Sequence, residues 1–219
     1  QAAPPHDFHI EHWPDRADVV IIGGGYTGFG AAIPLARAGL DVVVLERDQI
    51  GSGASTRNGG ITSGNLRLSF DDLAKRFGAE KATAFYQEAK AARADLAQFI
   101  ISEKIDCDLQ QCGRLVGALR PESLDSMKRD AERLTKLLDI EATVYDRASL
   151  PDYIDTSRYC GGMMRDDISG IHPAKLLAGM CQIARQASVK ISTQTKVIAV
   201  SKQNTSSPNP EFRVETSRG

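Results

Sequence analysis

The stretch from Asp18 to Glu46 sets the architecture of this chain. An apolar strand, Val19 to Ile22, runs into Gly23-Gly24-Gly25-Tyr26-Thr27-Gly28. A helical stretch follows, and a second apolar strand, Val42 to Leu45, ends in Glu46. Strand, glycine turn, helix, strand and acid, in that order, meet the demands of an adenine dinucleotide. Gly23 lets the chain turn sharply out of the strand, and Gly25, without a side chain, lets backbone approach a pyrophosphate. Gly28 lets the helix lie close on the sheet, and the helix N-terminus offers its N–H groups and positive dipole end. Glu46 stands 18 residues after Gly28, where a carboxylate can accept hydrogen bonds from ribose hydroxyls. The glycines alone are a weak sign; strand, helix and acid around them make it a specific one.

Length and composition leave room for this unit and more. A chain of 219 residues forms one large domain or two small ones and buries a substantial core. Charged residues make up 25% and the formal net charge is −1, so nothing draws the chain to nucleic acid or an anionic membrane. No apolar run approaches the ~20 residues of a membrane span. Residues 1–17 are polar and contain proline, with Trp13 and Phe8 as their large aromatics. They lack the basic start and apolar middle of a signal peptide and read as an N-terminal arm. Cys107, Cys112, Cys160 and Cys181 show neither C-x-x-C nor metal-ligand spacing. Reduced thiols in a cytoplasmic protein, with no metal site, are the expectation.

Along the chain, a helix from Tyr26 to about Ala38 is predicted to stop at Gly39, with a kink at Pro34. Beyond residue 60 the pattern changes. Asp71 to Lys104 reads as mostly helical, with Ala84, Phe85, Ala91, Leu96, Phe99 and Ile100 at helical spacing. A strand pair is expected around Leu109 to Leu119 with its turn at Gly113. Pro121 opens an amphipathic helix to about Leu138, striped by Leu124, Met127, Leu134 and Leu137. A short strand near Ala142 to Tyr145 and a turn-rich segment lead to Tyr159–Arg165. Pro173 opens a helix to about Ala187, followed by strands at Lys190–Thr193 and Lys196–Ser201. A polar loop, Gln203 to Pro210, precedes a last strand, Phe212 to Thr216. The order is α/β at the start and α+β overall.

A second motif lies just past the acid, Gly51-Ser52-Gly53-Ala54-Ser55-Thr56-Arg57-Asn58-Gly59-Gly60. Four glycines in ten residues, with Ser55, Arg57 and Asn58 among them, describe a loop whose backbone donors and one cation can face an anion. With D-V-V-I-I-G-G-G-Y-T-G (18–28), V-V-V-L-E-R (42–47), G-I-H-P-A-K-L (170–176) and T-K-V-I-A-V (195–200), the chain resembles the flavoprotein amine and amino-acid oxidases of the D-amino-acid-oxidase superfamily, which includes the glycine and sarcosine oxidases. The motif A-S-x-R-N-G-G is most similar to the γ-glutamylputrescine oxidase branch.

That resemblance spans about residues 18 to 216 and implies FAD rather than NAD. It implies a Rossmann-like FAD-binding βαβ unit with a flavin loop (18–60), part of an inserted α+β substrate domain (61–170) and a return to the FAD-binding domain (171–219). Gly23, Gly25, Tyr26, Thr27 and Gly28 would hold the pyrophosphate, and Glu46, with Arg47 beside it, the adenosine ribose. Gly53, Ala54, Ser55, Arg57, Asn58, Gly59 and Gly60 would pass along the ribityl chain towards the flavin, and Val197 would meet adenine through its backbone. The implied reaction oxidises the C–N bond of a small amine or amino acid by hydride transfer to flavin. Family members are longer, and this chain ends before the strand with the Ala-Thr-Asn/Gly motif. The resemblance therefore implies a truncated piece, or a half that a second chain completes. An NAD-linked dehydrogenase using the same turn, and a non-catalytic FAD-binding half-chain, remain the alternatives.

No residue is assigned a catalytic role. There is no G-x-S-x-G elbow and no Cys/His pair in a shared context, and flavin chemistry needs neither. Arg57 is the best polar candidate near a flavin, and Arg114 reads as a solvated strand-end cation before a substrate-carboxylate partner. His172, before Pro173, reads as a capping residue, and Tyr159 and Met163 as packing residues.

Overall fold

The computed structural model describes residues 8–10, 14–203 and 210–218. Trp13 and residues 204–209 of the expected polar loop lie outside them. In chain order come β1 (Val19–Ile22), α1 (Tyr26–Arg37), β2 (Val42–Leu45), β3 (Ile61–Thr62), α2 (Phe70–Phe77), α3 (Ala79–Ser102), β4 (Arg114–Ala118) and α4 (Pro121–Leu138). Then follow β5 (Ala142–Asp146), β6 (Gly161–Arg165), β7 (Ser169–Gly170), α5 (Pro173–Gln186), β8 (Lys190–Ser192), β9 (Val197–Gln203) and β10 (Glu211–Thr216). Single 3-10 turns occur at Ala54–Thr56 and Leu150–Asp152. No helix among the described residues is long and apolar enough to cross a membrane.

The chain divides into two compact units, residues 1–59, 103–107 and 172–219 in one and 60–102 and 108–171 in the other. In the first, β1, β2 and β8 form a parallel sheet in the order β1-β2-β8, with Val19 opposite Val42 and Leu45 opposite Ser192. The uninterrupted apolar run of β2 suits a strand covered on every side, and Val42 to Leu45 are all buried. β1, an edge strand, alternates between half-buried and exposed. Helices α1 and α5 pack against each other and bury Phe29, Ala32, Ile33, Leu176, Leu177, Met180 and Ile183. α1 runs through Pro34 without interruption. β9 and β10 form a separate antiparallel hairpin.

The sequence reading placed residues 103–107 in the inserted part; they lie with the first unit. Arg37 grips Glu103 with both guanidinium nitrogens at 2.8 and 2.9 Å, holding that carboxyl below its ordinary range. The His172 N–H donates to Cys107 O at 2.7 Å, and Ile105 packs directly on Gly179.

In the second unit β4, β6 and β5 form an antiparallel sheet with β6 in the centre, and α4 packs against it. A two-residue ladder, β3 with β7, is extended by a Gln110–Gly170 bridge. Arg165, buried in β6, pairs with Asp167 at 2.7 and 2.9 Å and donates to Asn65.

The mostly helical segment Asp71–Lys104 comprises two helices, because Gly78 adopts φ 87° and closes α2 through its N–H to Ala74 O at 2.9 Å. One expectation needs correction here. The strand pair expected around Leu109–Leu119 does not form. Only β4 is a strand there, and it pairs with β6, while Gln110 bridges to Gly170. Tyr159–Arg165, left without an assignment, contains the central strand of that sheet. Its two glycines obscure it, yet a side chain at Gly161 would meet Tyr145 O at 2.6 Å and Leu124 Cδ1 at 2.7 Å.

Candidate functional site

Where β1 and β2 end, the first unit opens into a cleft of about 440 Å³. Its floor is the glycine turn. The Gly23 N–H donates to Leu45 O at 2.8 Å, so the chain leaves β1 at the level where β2 finishes. A Cβ on Gly28 would stand 2.0 Å from Gly23 O, and this is the close approach that fixes the first turn of α1 over the strand end. Gly25 is the N-cap of α1 and supplies no side-chain cap, and no acid stands in the first turn. The positive end of the helix is thus left for an anion.

Glu46 closes the far wall. Its Oε2 accepts from the Gly24 N–H at 2.8 Å and its Oε1 from the Asp48 N–H at 3.0 Å. Its backbone is held too: its N–H donates to Ser192 O and its carbonyl accepts from the Thr195 N–H, both at 2.8 Å. The carboxylate therefore braces the glycine turn while keeping lone pairs for a ligand. Ser55 stands opposite, its Oγ accepting from the Tyr26 N–H at 3.1 Å. A Cβ on Gly25 would approach that Oγ to 2.9 Å.

Of the residues singled out in the sequence, Gly23, Gly25, Glu46, Arg47, Gly53, Ala54, Ser55 and Val197 line this one cleft. The others do not line it. Gly28 packs beneath the turn, and Thr27 is exposed on α1. Tyr26 directs its hydroxyl to Pro173 O at 2.8 Å, tying α1 to the start of α5, and burial raises its pKa against the opposing hydrogen bond from Asn58. Arg57 ends the 3-10 turn through its N–H to Ala54 O and has an exposed side chain. The Asn58 amide donates to Ala54 O at 3.2 Å and Ser55 O at 3.0 Å, shaping the loop. Gly59 is exposed, and Gly60, in the other unit, accepts from the Ile171 N–H at 2.8 Å. His172 caps α5, its Nδ1 accepting from the Lys175 N–H at 3.4 Å, and Arg114 is exposed.

Sequence reasoning missed Asp48, Leu177, Thr195 and Lys196 in the lining, and behind them a buried hydroxyl cluster. Ser192 Oγ and Thr195 Oγ1 lie 2.9 Å apart, and Thr195 Oγ1 donates to Thr193 O at 2.9 Å. All three residues are fully buried. A run of Ser-Thr-Gln-Thr reads locally as a turn, and only strand pairing over a long separation reveals what it braces. Among the described residues no group of His, Cys, Asp and Glu could hold a metal ion, and all four cysteines are free thiols.

The cradle suits a dinucleotide. It combines side-chain-free backbone at the turn, a helix N-terminus with no acid in its first turn and a carboxylate, in a volume typical of ligand sites. Residues 18–219 match the family model described as FAD dependent oxidoreductase. Gamma-glutamylputrescine oxidoreductase of Escherichia coli (strain K12) is 31% identical over 168 residues, covering 77% of this chain and 39% of that protein. Probable oxidoreductase OrdL of Rhizobium meliloti (strain 1021) is 31% identical over 201 residues, covering 90% of this chain and 46% of its own. Glycine oxidase from Geobacillus kaustophilus has the same fold at a TM-score of 0.76 and 20% identity, over 93% of this chain and 52% of that one. The chain thus spans less than half the length of these two curated relatives.

Proposed function

The chain belongs to the family of FAD-dependent oxidoreductases, and we propose that it carries the nucleotide-binding part of an enzyme that oxidises the C–N bond of a small amine or amino acid. One observation carries this reading: glycine turn, a helix N-terminus with no acid in its first turn and braced carboxylate converge on a single cleft. The side-chain-free turn Gly23–Gly25 would let the pyrophosphate come close to the positive end of α1. Glu46 would accept from the ribose hydroxyls, and Val197 would flank the adenine. Ser55 and Ala54 would lead away from the phosphates, with Asn58 holding that loop in shape.

When bound, the cofactor supplies a ring able to take a hydride from the carbon beside an amine nitrogen. This chain's residues bind and orient it; none of them is proposed to move a proton. The amine class is supported by two of the similar proteins, which are named for γ-glutamylputrescine and glycine. Residues of the second unit are proposed to form part of the substrate domain. The free thiols accord with a cytoplasmic setting.

The test is an absorbance spectrum of the purified full-length protein, followed by an amine and amino-acid screen. Oxidised-flavin bands bleached by an amine support the proposal. Tight NADH binding without flavin affinity would replace it with a nicotinamide-linked dehydrogenase. A second reading, an FAD-binding half that needs another chain for catalysis, is favoured by the open edge of β1 and by exposed Ile22, Val200 and Phe212 along an adjacent groove. Flavin bands without amine turnover, and co-purification of a second polypeptide, would support that reading.

A further inference from the structure

The buried Thr193 faces a segment far from it in sequence. Its N–H donates to Phe8 O at 2.9 Å, and its hydroxyl both accepts from the Phe8 N–H at 2.9 Å and reaches Phe8 O at 3.0 Å. Phe8 therefore pairs along the open side of the sheet, just beyond edge strand β8. Its ring lies under the Arg185 guanidinium at 5.1 Å, a cation–π contact that holds the arm against the end of α5. The next residue, His9, meets Arg218 at 2.9 Å through Nδ1. Three separate attachments thus hold a stretch of only three described residues.

What this arm touches is the brace of the nucleotide cleft. Thr193 O accepts from the Thr195 hydroxyl, and the Thr195 N–H donates to Glu46 O. Between them Gln194 sits at φ 53° and donates its N–H to Asp48 O at 3.1 Å. Glu46 Oε2 in turn takes the Gly24 N–H. The tight turn 192–195 has a residue in the left-handed region at its middle, so it holds its shape only while its flanks are fixed. Thr193 is one of those flanks, and Phe8 is its partner.

We propose that Phe8, acting through Thr193, is a positioning residue of the nucleotide site, setting the Thr193–Thr195 turn that holds the Glu46 carboxylate towards the ribose. This rests on the cleft binding an adenine nucleotide. Residues 18–46, which announce the cleft in the sequence, do not include this support. The site begins eleven residues before Val19, the start of β1, and is completed by a turn near residue 193.

The test uses the full-length apoprotein, with ADP and 2′-deoxy-ADP as probes in calorimetry and amide hydrogen exchange as a ligand-free readout. Phe8→Pro, which removes the N–H that Thr193 Oγ1 accepts, and Thr193→Val, which removes that hydroxyl, should each weaken ADP binding by about 3–10-fold, the equivalent of one lost hydrogen bond. They should narrow the preference for ADP over 2′-deoxy-ADP and quicken exchange at the Gly24 and Thr195 amides. Thr193→Ser, which keeps the hydroxyl, should restore all three. Arg37→Ala, which breaks an ion pair remote from the turn, serves as the control that moves stability alone. Should Thr193→Val fail to fold, Phe8→Pro decides, since Phe8 lies outside the core. A folded Phe8→Pro protein with unchanged affinity, probe preference and exchange overturns the proposal while leaving the nucleotide reading intact. A wild-type apoprotein that binds neither ADP nor FAD overturns both.

Discussion

Gly28 and Glu46 are the two residues whose replacement separates architecture from binding. Any Cβ at position 28 meets Gly23 O at 2.0 Å, and the obstacle is backbone that cannot rotate away. Gly28→Ala should therefore push α1 off the strand end, costing about 1–3 kcal/mol or more in urea unfolding and abolishing nucleotide binding. Glu46→Gln keeps an acceptor for the Gly24 N–H but loses the charge. Stability should change little, while ADP affinity falls about 10–100-fold, the worth of a hydrogen bond to a charged group. Calorimetry with ADP on both variants checks the distinction; equal binding by wild type and Glu46→Gln would remove the carboxylate from the site. Both residues were legible in the sequence because each role depends on neighbours within one βαβ unit. Arg57 was singled out by its place in the glycine-rich loop, and its side chain is exposed.

At the scale of elements, the break between α2 and α3 is the clearest case of one residue overriding a periodic pattern. Gly78 adopts φ 87° and ψ 156°, a region essentially closed to other residues. Nothing lies within 4 Å of the position a Cβ would take, so a substitution meets only backbone strain. Gly78→Ala should cost about 1–3 kcal/mol in denaturant unfolding without altering ADP binding, since Gly78 lies outside the unit that carries the cleft. An unchanged denaturation midpoint would mean that α2 and α3 can join as one helix. The break lets α2 fold back on α3, with the Phe77 and Phe85 rings edge to face at 5.7 Å and Phe70 beside Tyr86 at 5.9 Å. Ser69 caps α2 by accepting from the Asp72 N–H at 3.1 Å.

On the scale of the whole molecule, stability at alkaline pH should carry the mark of Cys181. Burial in α5 pushes this thiol up to about 11 from its ordinary 9.0, with Arg185 opposing. The raised value means that the folded state keeps the proton while the unfolded chain loses it. The associated stability is fully present below about pH 9 and is lost as pH climbs towards 11. Two units correspond to roughly 2–3 kcal/mol. Unfolding free energies measured from pH 8 to 11 should fall by about that amount in wild type and less in Cys181→Ala; parallel curves would exclude the thiol as the cause. The open edge of β1 and the exposed Ile22, Val200 and Phe212 make the first unit prone to strand addition or association.

The amino-acid sequence by itself determined the first βαβ unit, its glycine turn and acid, and the helices opened by Pro121 and Pro173. Each depends on residues within one or two turns of chain, where periodicity, caps and turn chemistry act directly. Only the tertiary structure decided that β6 is a central strand, that residues 103–107 lie with the first unit and that Gln110 bridges Gly170. It also decided that Phe8, Thr193 and Thr195 stand behind Glu46. These depend on partners remote along the chain, and the hydrogen bonds and packing that select them exist only once both segments share a core.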